Sequence, residues 1–419
     1  MHVLQIASFL IVLAAVFGSV NYFFLKLPQP IGILIVALLA SVAAMVIDML
    51  VPGLQIADTL RGMIGEIDFS DALLEGMLGL LLFAGALHVK IEDLRSEALP
   101  VLLMATMGVA LSVAVVGVGF SWLTGMPLLV ALVFGAIVSP TDPVAVLGVL
   151  REANLRRSLE TKIAGESLFN DGVAYVVFLI LVGLAFTGDA HGDHGEGGAA
   201  IGAILLFVQE AFGGAALGGL LGWLTFRVMR QIDDYSLEVL ITLALAFGGY
   251  ELAVWLHVSA PIMAVVAGLM IGDVGMKYGM SEETRNYVDA FWKLIDEILN
   301  AVLFLLIGVE VFAVAFDMDT LQAGGIAVGL ALLARFVAVL IPILILRPFH
   351  GSGKGTVPIM TWGGLKGGIS VALALSLPDS EWKPMILTAT YVIVVFSIVI
   401  QGLTIAPLAR RIGREPELL

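Results

Sequence analysis

Two strongly apolar stretches each hold polar residues that lipid tolerates poorly: Ser139-Pro140-Thr141-Asp142-Pro143, then Gly165-Glu166-Ser167-Leu168-Phe169-Asn170-Asp171-Gly172. A carboxylate at membrane depth is expensive and is normally kept for function. Prolines flanking Asp142 interrupt the regular helical hydrogen bonds and leave carbonyls exposed beside the acid. Asp142, Asp171, the hydroxyls of Thr141 and Ser167 and the freed carbonyls are hard oxygen donors, the kind a bare alkali or alkaline-earth cation needs. No soft ligand or histidine lies nearby to favour a transition metal. The same carboxyls also take up protons, so proton and cation compete for one place. If only the loaded forms reorient, that competition yields obligatory exchange. The hydroxyls of Ser167 and Thr141 can equally bond back to their own helices.

The elements that carry these residues are membrane spans. The chain has 60% hydrophobic and 13% charged residues and a mean hydropathy of +1.04, which excludes a soluble globular protein. Apolar runs of about 20 residues, the length that crosses a hydrocarbon core, fill the chain and leave no room for a separate soluble domain. We expect one all-α polytopic membrane domain, residues 1–419, with thirteen transmembrane helices near 3–25, 30–51, 70–88, 98–122, 128–150, 162–186, 200–228, 236–256, 258–274, 291–316, 320–346, 355–377 and 384–408. Met1-His2 leads directly into apolar sequence without a basic n-region, so the first helix is expected to be retained. The chain has no cysteine, which removes disulfides and thiolate-bound metals.

Loop charge fixes an orientation. Lys26; Lys90 and Arg95; Arg151, Arg156, Arg157 and Lys162; Arg227 and Arg230; Lys277, Arg285 and Lys293; Arg347 and Lys354; and Arg410, Arg411 and Arg414 follow odd-numbered spans. Only Arg61 and Lys383 lie in the opposite loops. The positive-inside rule then places the N-terminus outside and the C-terminus in the cytoplasm. Two basic residues fall within spans: Arg335 in span eleven and Lys366 in span twelve. Glu166 is the expected partner of Arg335, in a neutral pair holding span six to span eleven. Lys366 is expected to offset the ends of half-helices or to pair with a remaining acid. Span five is broken at 139–143 and span twelve at Trp362-Gly363-Gly364-Leu365-Lys366-Gly367-Gly368. Seven spans apart, these two discontinuous helices run in opposite directions, as in an inverted repeat with the substrate site at the breaks. Asp142 and Asp171 then fall at similar depth.

Other polar residues carry weaker signals. Asn300 fits either a cap for the half-helices or a packing amide. Glu210, Glu251 and Glu310 are expected to face water. The Gly-rich loop with His191 and His194 resembles a metal tract, though a mobile external loop is the plainer reading.

Thr141-Asp142-Pro143-Val144-Ala145-Val146, the Gly165–Gly172 stretch and Trp362-Gly363-Gly364-Leu365-Lys366-Gly367 together resemble the monovalent cation/proton antiporter family, which includes bacterial NhaP-type sodium/proton antiporters and eukaryotic sodium/hydrogen exchangers. The resemblance covers essentially the whole chain. It implies that Asp171 carries ion and proton, that Asp142 and Thr141 form the unwound segment, that Ser167 is a sodium ligand and that Glu166 pairs with Arg335. Asn170 resembles the Asn standing where electrogenic relatives carry a second Asp, which implies one-for-one electroneutral exchange. It further implies a homodimer in the plasma membrane, with a core of 98–186 and 320–408 moving against an interface part of 1–88 and 200–316. Lys366 departs from the family's usual Arg and lacks its planar fork. The chain ends at Leu419 without a long cytoplasmic tail, so regulation through such a tail is not expected.

The expected function is secondary antiport of sodium, or lithium, for protons. Membrane lipid and a second copy of the chain are the expected partners; no enzyme activity, cofactor or nucleic acid is expected. Potassium/proton antiport by the same fold stays open, as does a channel-like cation pathway. An intramembrane aspartyl protease is disfavoured, because its nearest motif, Met270-Ile271-Gly272-Asp273, lacks the first glycine such enzymes resemble.

Overall fold

The structure is a computed structural model that describes residues 3–51, 72–143, 146, 156–187, 196–314, 317–347 and 355–412. The His191/His194 loop lies outside these residues, as do Arg61, Arg151, Lys354 and Arg414 of the loop-charge argument. In chain order the helices are α1 (Val3–Val20), α2 (Gln29–Leu50), α3 (Leu78–Leu87), the short α4 (Ile91–Ser96), α5 (Ala98–Thr124), α6 (Leu128–Ile137), α7 (Arg157–Val182), α8 (Glu196–Met229), α9 (Tyr235–Trp255), α10 (Ala260–Tyr278), α11 (Glu282–Val309), α12 (Met318–Leu346), α13 (Thr356–Trp362), α14 (Gly368–Leu375) and α15 (Lys383–Ile412). Among the described residues, nine helices are long and apolar enough to cross a membrane. The ten-residue helices α3 and α6 are apolar but shorter.

Local chemistry explains where helices begin. Asp234, Ser259, Ser281 and Asp317 each accept a backbone N–H from the first turn of α9, α10, α11 and α12, satisfying a donor that a helix start leaves over. Pro28 and Pro30 open α2, where a missing N–H costs nothing. Gly125, at φ 75°, closes α5 with its N–H on the Ser121 carbonyl.

Lipid tails are as apolar as leucine, so helices here associate through close packing rather than water exclusion. Gly135 lets α6 lie on α5 so tightly that a β-carbon there would stand 2.6 Å from the Val113 carbonyl. The helices α5, α6, α7, α12 and α15 pack on one another in turn, as do α2, α3, α8, α9, α10 and α11. α4 ties the two sets at one face. Its Asp93 and the following Glu97 bind Arg157 and Lys162 of α7 at 2.7 and 3.1 Å, and its Glu92 binds Lys277 of α10 at 3.2 Å.

Candidate functional site

Both expected breaks are present. α6 stops at Ile137, and 138–142 is non-helical; α13 stops at Trp362, and α14 resumes at Gly368. The two non-helical segments meet, since the backbone N–H of Asp142 donates to the Leu365 carbonyl at 2.8 Å. Gly367 permits the approach, because a β-carbon there would press into the Asp142 carboxylate.

Lys366 serves the carbonyls freed by the first break. Its Nζ donates to Ser139 O at 3.0 Å and Pro140 O at 3.1 Å, so its amino group sits against the negative end of α6. Of the two roles expected for Lys366, the half-helix one is realised through direct hydrogen bonds. Its own N–H donates to Ser397 Oγ, which donates to Gln401 Oε1; Gln401 Nε2 in turn donates to Trp362 O. Lys366 is thus anchored at both ends.

Across from the break, α7 presents Glu166, Ser167, Asn170 and Asp171, all buried. At about 100° per residue they span one arc of roughly 140°, with Glu166 at one edge and Asp171 at the other, so Glu166 reaches a different neighbour. Ser167, Asn170 and Asp171 face Thr141 and Asp142. Thr141 Oγ1 lies 2.9 Å from Ser167 Oγ and accepts from Asn170 Nδ2 at 2.8 Å, while its N–H donates to Asn170 Oδ1. Asn170 therefore holds the unwound segment with both ends of its amide. Asp171 has Asp142 and Lys366 as charged neighbours, and its Oδ1 is buried without a hydrogen-bond partner. A buried carboxylate oxygen in that state is costly.

Glu166 stands at the other edge of the arc. Arg335 of α12 grips it with both terminal nitrogens, Nη1 on Oε1 and Nη2 on Oε2, the latter at 2.8 Å. Arg335 Nε also donates to the Met360 carbonyl at 3.1 Å, tying in α13 just before its break. A bidentate, desolvated pair of this kind fixes orientation as well as charge. It sits as expected from the two charges alone.

A cavity of about 950 Å³ leads to the breaks. Its walls include His88, Lys90, Asp93, Arg157, Glu160 and Lys293, all on the side of the basic loops, and it reaches Thr141, Asp142 and Asp171 at its far end. Asp289, Asp296, Asn300 and Leu303 of α11 also line it. Sequence reasoning did not single out this α11 wall, although the spacing 289-296-300-303 is that of one helical face. Asn300 caps no half-helix here; its Nδ2 donates to Asp296 O and Oδ1 on its own helix. The expectation for Glu310 also needs correction: it is buried at 6% exposure, whereas Glu251 is exposed as expected and Glu210 half-buried. Among the described residues no group of three His, Cys, Asp or Glu side chains is placed to hold a metal ion. The breaks bring together two carboxylates and two hydroxyls, while the carbonyls of Ser139 and Pro140, expected to be free, are taken by Lys366.

The comparisons with known proteins agree with this geometry. The sequence profile of the family described as "Sodium/hydrogen exchanger, transmembrane" matches residues 9–411. The chain is 47% identical over 421 residues to the Na(+)/H(+) antiporter NhaP of Pseudomonas aeruginosa, covering 98% of this chain and 97% of that protein. It is 34% identical over 393 residues to the Na(+)/H(+) antiporter NhaH of Halobacillus dabanensis, covering 93% of each. The solved structure of the sodium proton antiporter MjNhaP1 from Methanocaldococcus jannaschii at pH 8 shares the fold, with a TM-score of 0.72 at 19% identity over 98% of each chain. The motifs, the matched profile and these relatives lead to one conclusion: this chain belongs to the sodium/hydrogen exchanger family.

Proposed function

We propose that the protein exchanges sodium, or lithium, for protons across the membrane by alternating access, with both ions competing for Asp171 and Asp142. It is a secondary transporter rather than an enzyme. Family membership carries the exchange; the single observation that carries the site is the buried, unpartnered Asp171 Oδ1 at the end of a cavity reached from one side. Asp171 and Asp142 take the charge of the cation, or one of them takes a proton. Ser167 and Thr141 turn hydroxyl oxygens to the cation, while Asn170 positions Thr141. Because Asn170 supplies no second titratable group beside Asp171, exchange is one for one and electroneutral. Glu166 and Arg335 brace the site, and Lys366 neutralises the half-helix end.

The same reading takes the helices as thirteen spans, with spans five and twelve crossing as discontinuous halves of an inverted repeat. The backbone bond between their breaks supports this. The segregation of helix packing into two sets supports a core of 98–186 and 320–408 turning against an interface part of 1–88 and 200–316. Loop charge supports an outer N-terminus and a cytoplasmic C-terminus in the plasma membrane, so the cavity opens inward. A homodimer through the interface part completes the proposal, with no cofactor.

In proteoliposomes carrying an imposed pH gradient, added sodium should collapse the gradient, and Asp171→Asn should be inert. Normal exchange by that variant would overturn the site. Titrating sodium against potassium in the same assay settles the cation.

A further inference from the structure

The face of α11 that lines the cavity continues beyond it. Asp289, Asp296, Asn300 and Leu303 are exposed to the cavity in turn; the next positions on that face are Ile307 and Glu310, four and seven residues beyond Leu303. Leu303 presses on Gly368 at the break, where a β-carbon would collide with it, and Ile307 is completely buried. These two apolar side chains close the way past the site. Glu310 lies two turns further, roughly 10 Å outward of Leu303 at the helical rise of about 1.5 Å per residue. It is only 6% exposed.

α2 packs against its turn, and a charge-sensitive neighbour comes from the other set of helices. Tyr391 of α15 is 4% exposed, and its hydroxyl is buried without a hydrogen-bond partner, with Glu310 as its charged neighbour. Its depth follows independently. Ser397, which accepts the Lys366 N–H at the break, lies six residues inward of Tyr391, roughly 9 Å along the helix. Glu310 and Tyr391 thus meet at one level, on opposite sides of the seam, outside the apolar plug.

We propose that Glu310, with Tyr391 at the same level across the seam, is the outer-mouth group that gathers the monovalent cation when the seam opens outward. In the closed seam both residues are buried; opening exposes the carboxylate to water and aims it at an ion on its way to Asp142 and Asp171. Asp289 and Asp296 occupy the corresponding place at the inner mouth, on the same face of α11. This assignment rests on the alternating-access reading above.

The test is the sidedness of Glu310→Gln in vesicles of defined orientation. Half-saturating sodium should rise about four- to fifteenfold when sodium is supplied at the outer face, as for one unit charge lost roughly 10 Å away in an effective dielectric constant of about 20 to 40. From the cytoplasmic face it should stay within twofold of wild type, roughly the scatter of such measurements, and Glu310→Asp should retain most of the outer affinity. The chain has no native cysteine, so Glu310→Cys provides a second readout: a membrane-impermeant thiol reagent added outside should label it during turnover. An unchanged outer value, an equal rise from both faces, or failure to label during active exchange overturns the assignment. Wild-type protein that fails to exchange would instead overturn the alternating-access reading itself.

Discussion

Glu166 and Asp171 are buried acids five residues apart on α7, and their substitution should act on different properties with different signs. Glu166 accepts two hydrogen bonds from Arg335, itself tied to Met360 O. Removing one member of such a pair leaves an uncompensated buried charge and costs about 3–5 kcal/mol. Glu166→Gln and Arg335→Met should each lower unfolding stability by that amount. The double variant should recover more than half of the summed loss, because the stranded charge disappears with its partner. Asp171 is the reverse case. Its Oδ1 has no partner to lose, so Asp171→Asn should leave the unfolding midpoint at or above wild type while abolishing exchange. The assays are thermal unfolding of detergent-solubilised protein beside sodium-driven gradient collapse in proteoliposomes. Additive Glu166 and Arg335 variants, or an Asp171→Asn protein that loses stability in step with activity, would refute the division of labour.

Four further outcomes follow from the geometry. Lys366→Met strands the Ser139 and Pro140 carbonyls, and with about 1.5–3 kcal/mol for each lost charge-assisted bond it should lower both stability and transport; Lys366→Arg should restore more of each than Lys366→Gln. Asn170→Asp adds a titratable group beside Asp171, and exchange measured under clamped membrane potential should become potential-dependent. Gly364→Ala drives a methyl into the Arg335 guanidinium and should lower the melting temperature as Arg335→Met does, whereas Gly329→Ala, in open space on α12, should not. Asp317 holds the first turn of α12, and the N–H of Thr320 keeps its carboxyl below the ordinary 3.8. That stabilisation is fully present above pH 3.8 and lost as pH falls through the depressed value, so Asp317→Ala should melt earlier at neutral pH and converge with wild type in acid.

Much of the site is legible in the sequence because the membrane makes polar residues conspicuous. Proline and glycine runs locate the breaks at 138–142 and 363–367, and a charge in lipid must find a partner, which leads from Arg335 to Glu166 without coordinates. Other features depend on which way a helix face turns. Asp296 and Asn300 are ordinary polar residues until α11 is rotated against the breaks, and Glu310 at a helix end looks water-facing until α15 covers it. Span three, expected at 70–88, is helical over 72–87, its first turns Ala72–Met77 wound more widely as π-helix where the Tyr250 hydroxyl donates to Leu74 O. Boundaries elsewhere shift by a few residues, as in α7, which begins at Arg157 because the charged residues before 162 are paired with α4 rather than lost to a loop.

The hydrogen bond from Asp142 to Leu365 and the Lys366 bridge to Ser139 and Pro140 weld the two breaks into one block. A block of this kind carries its ligands as a set. No step is then built to be irreversible. With the one-for-one exchange proposed above, such a protein has no preferred direction of its own: with the sodium gradient inverted it would run backwards, coming to rest when the two ion gradients are equal.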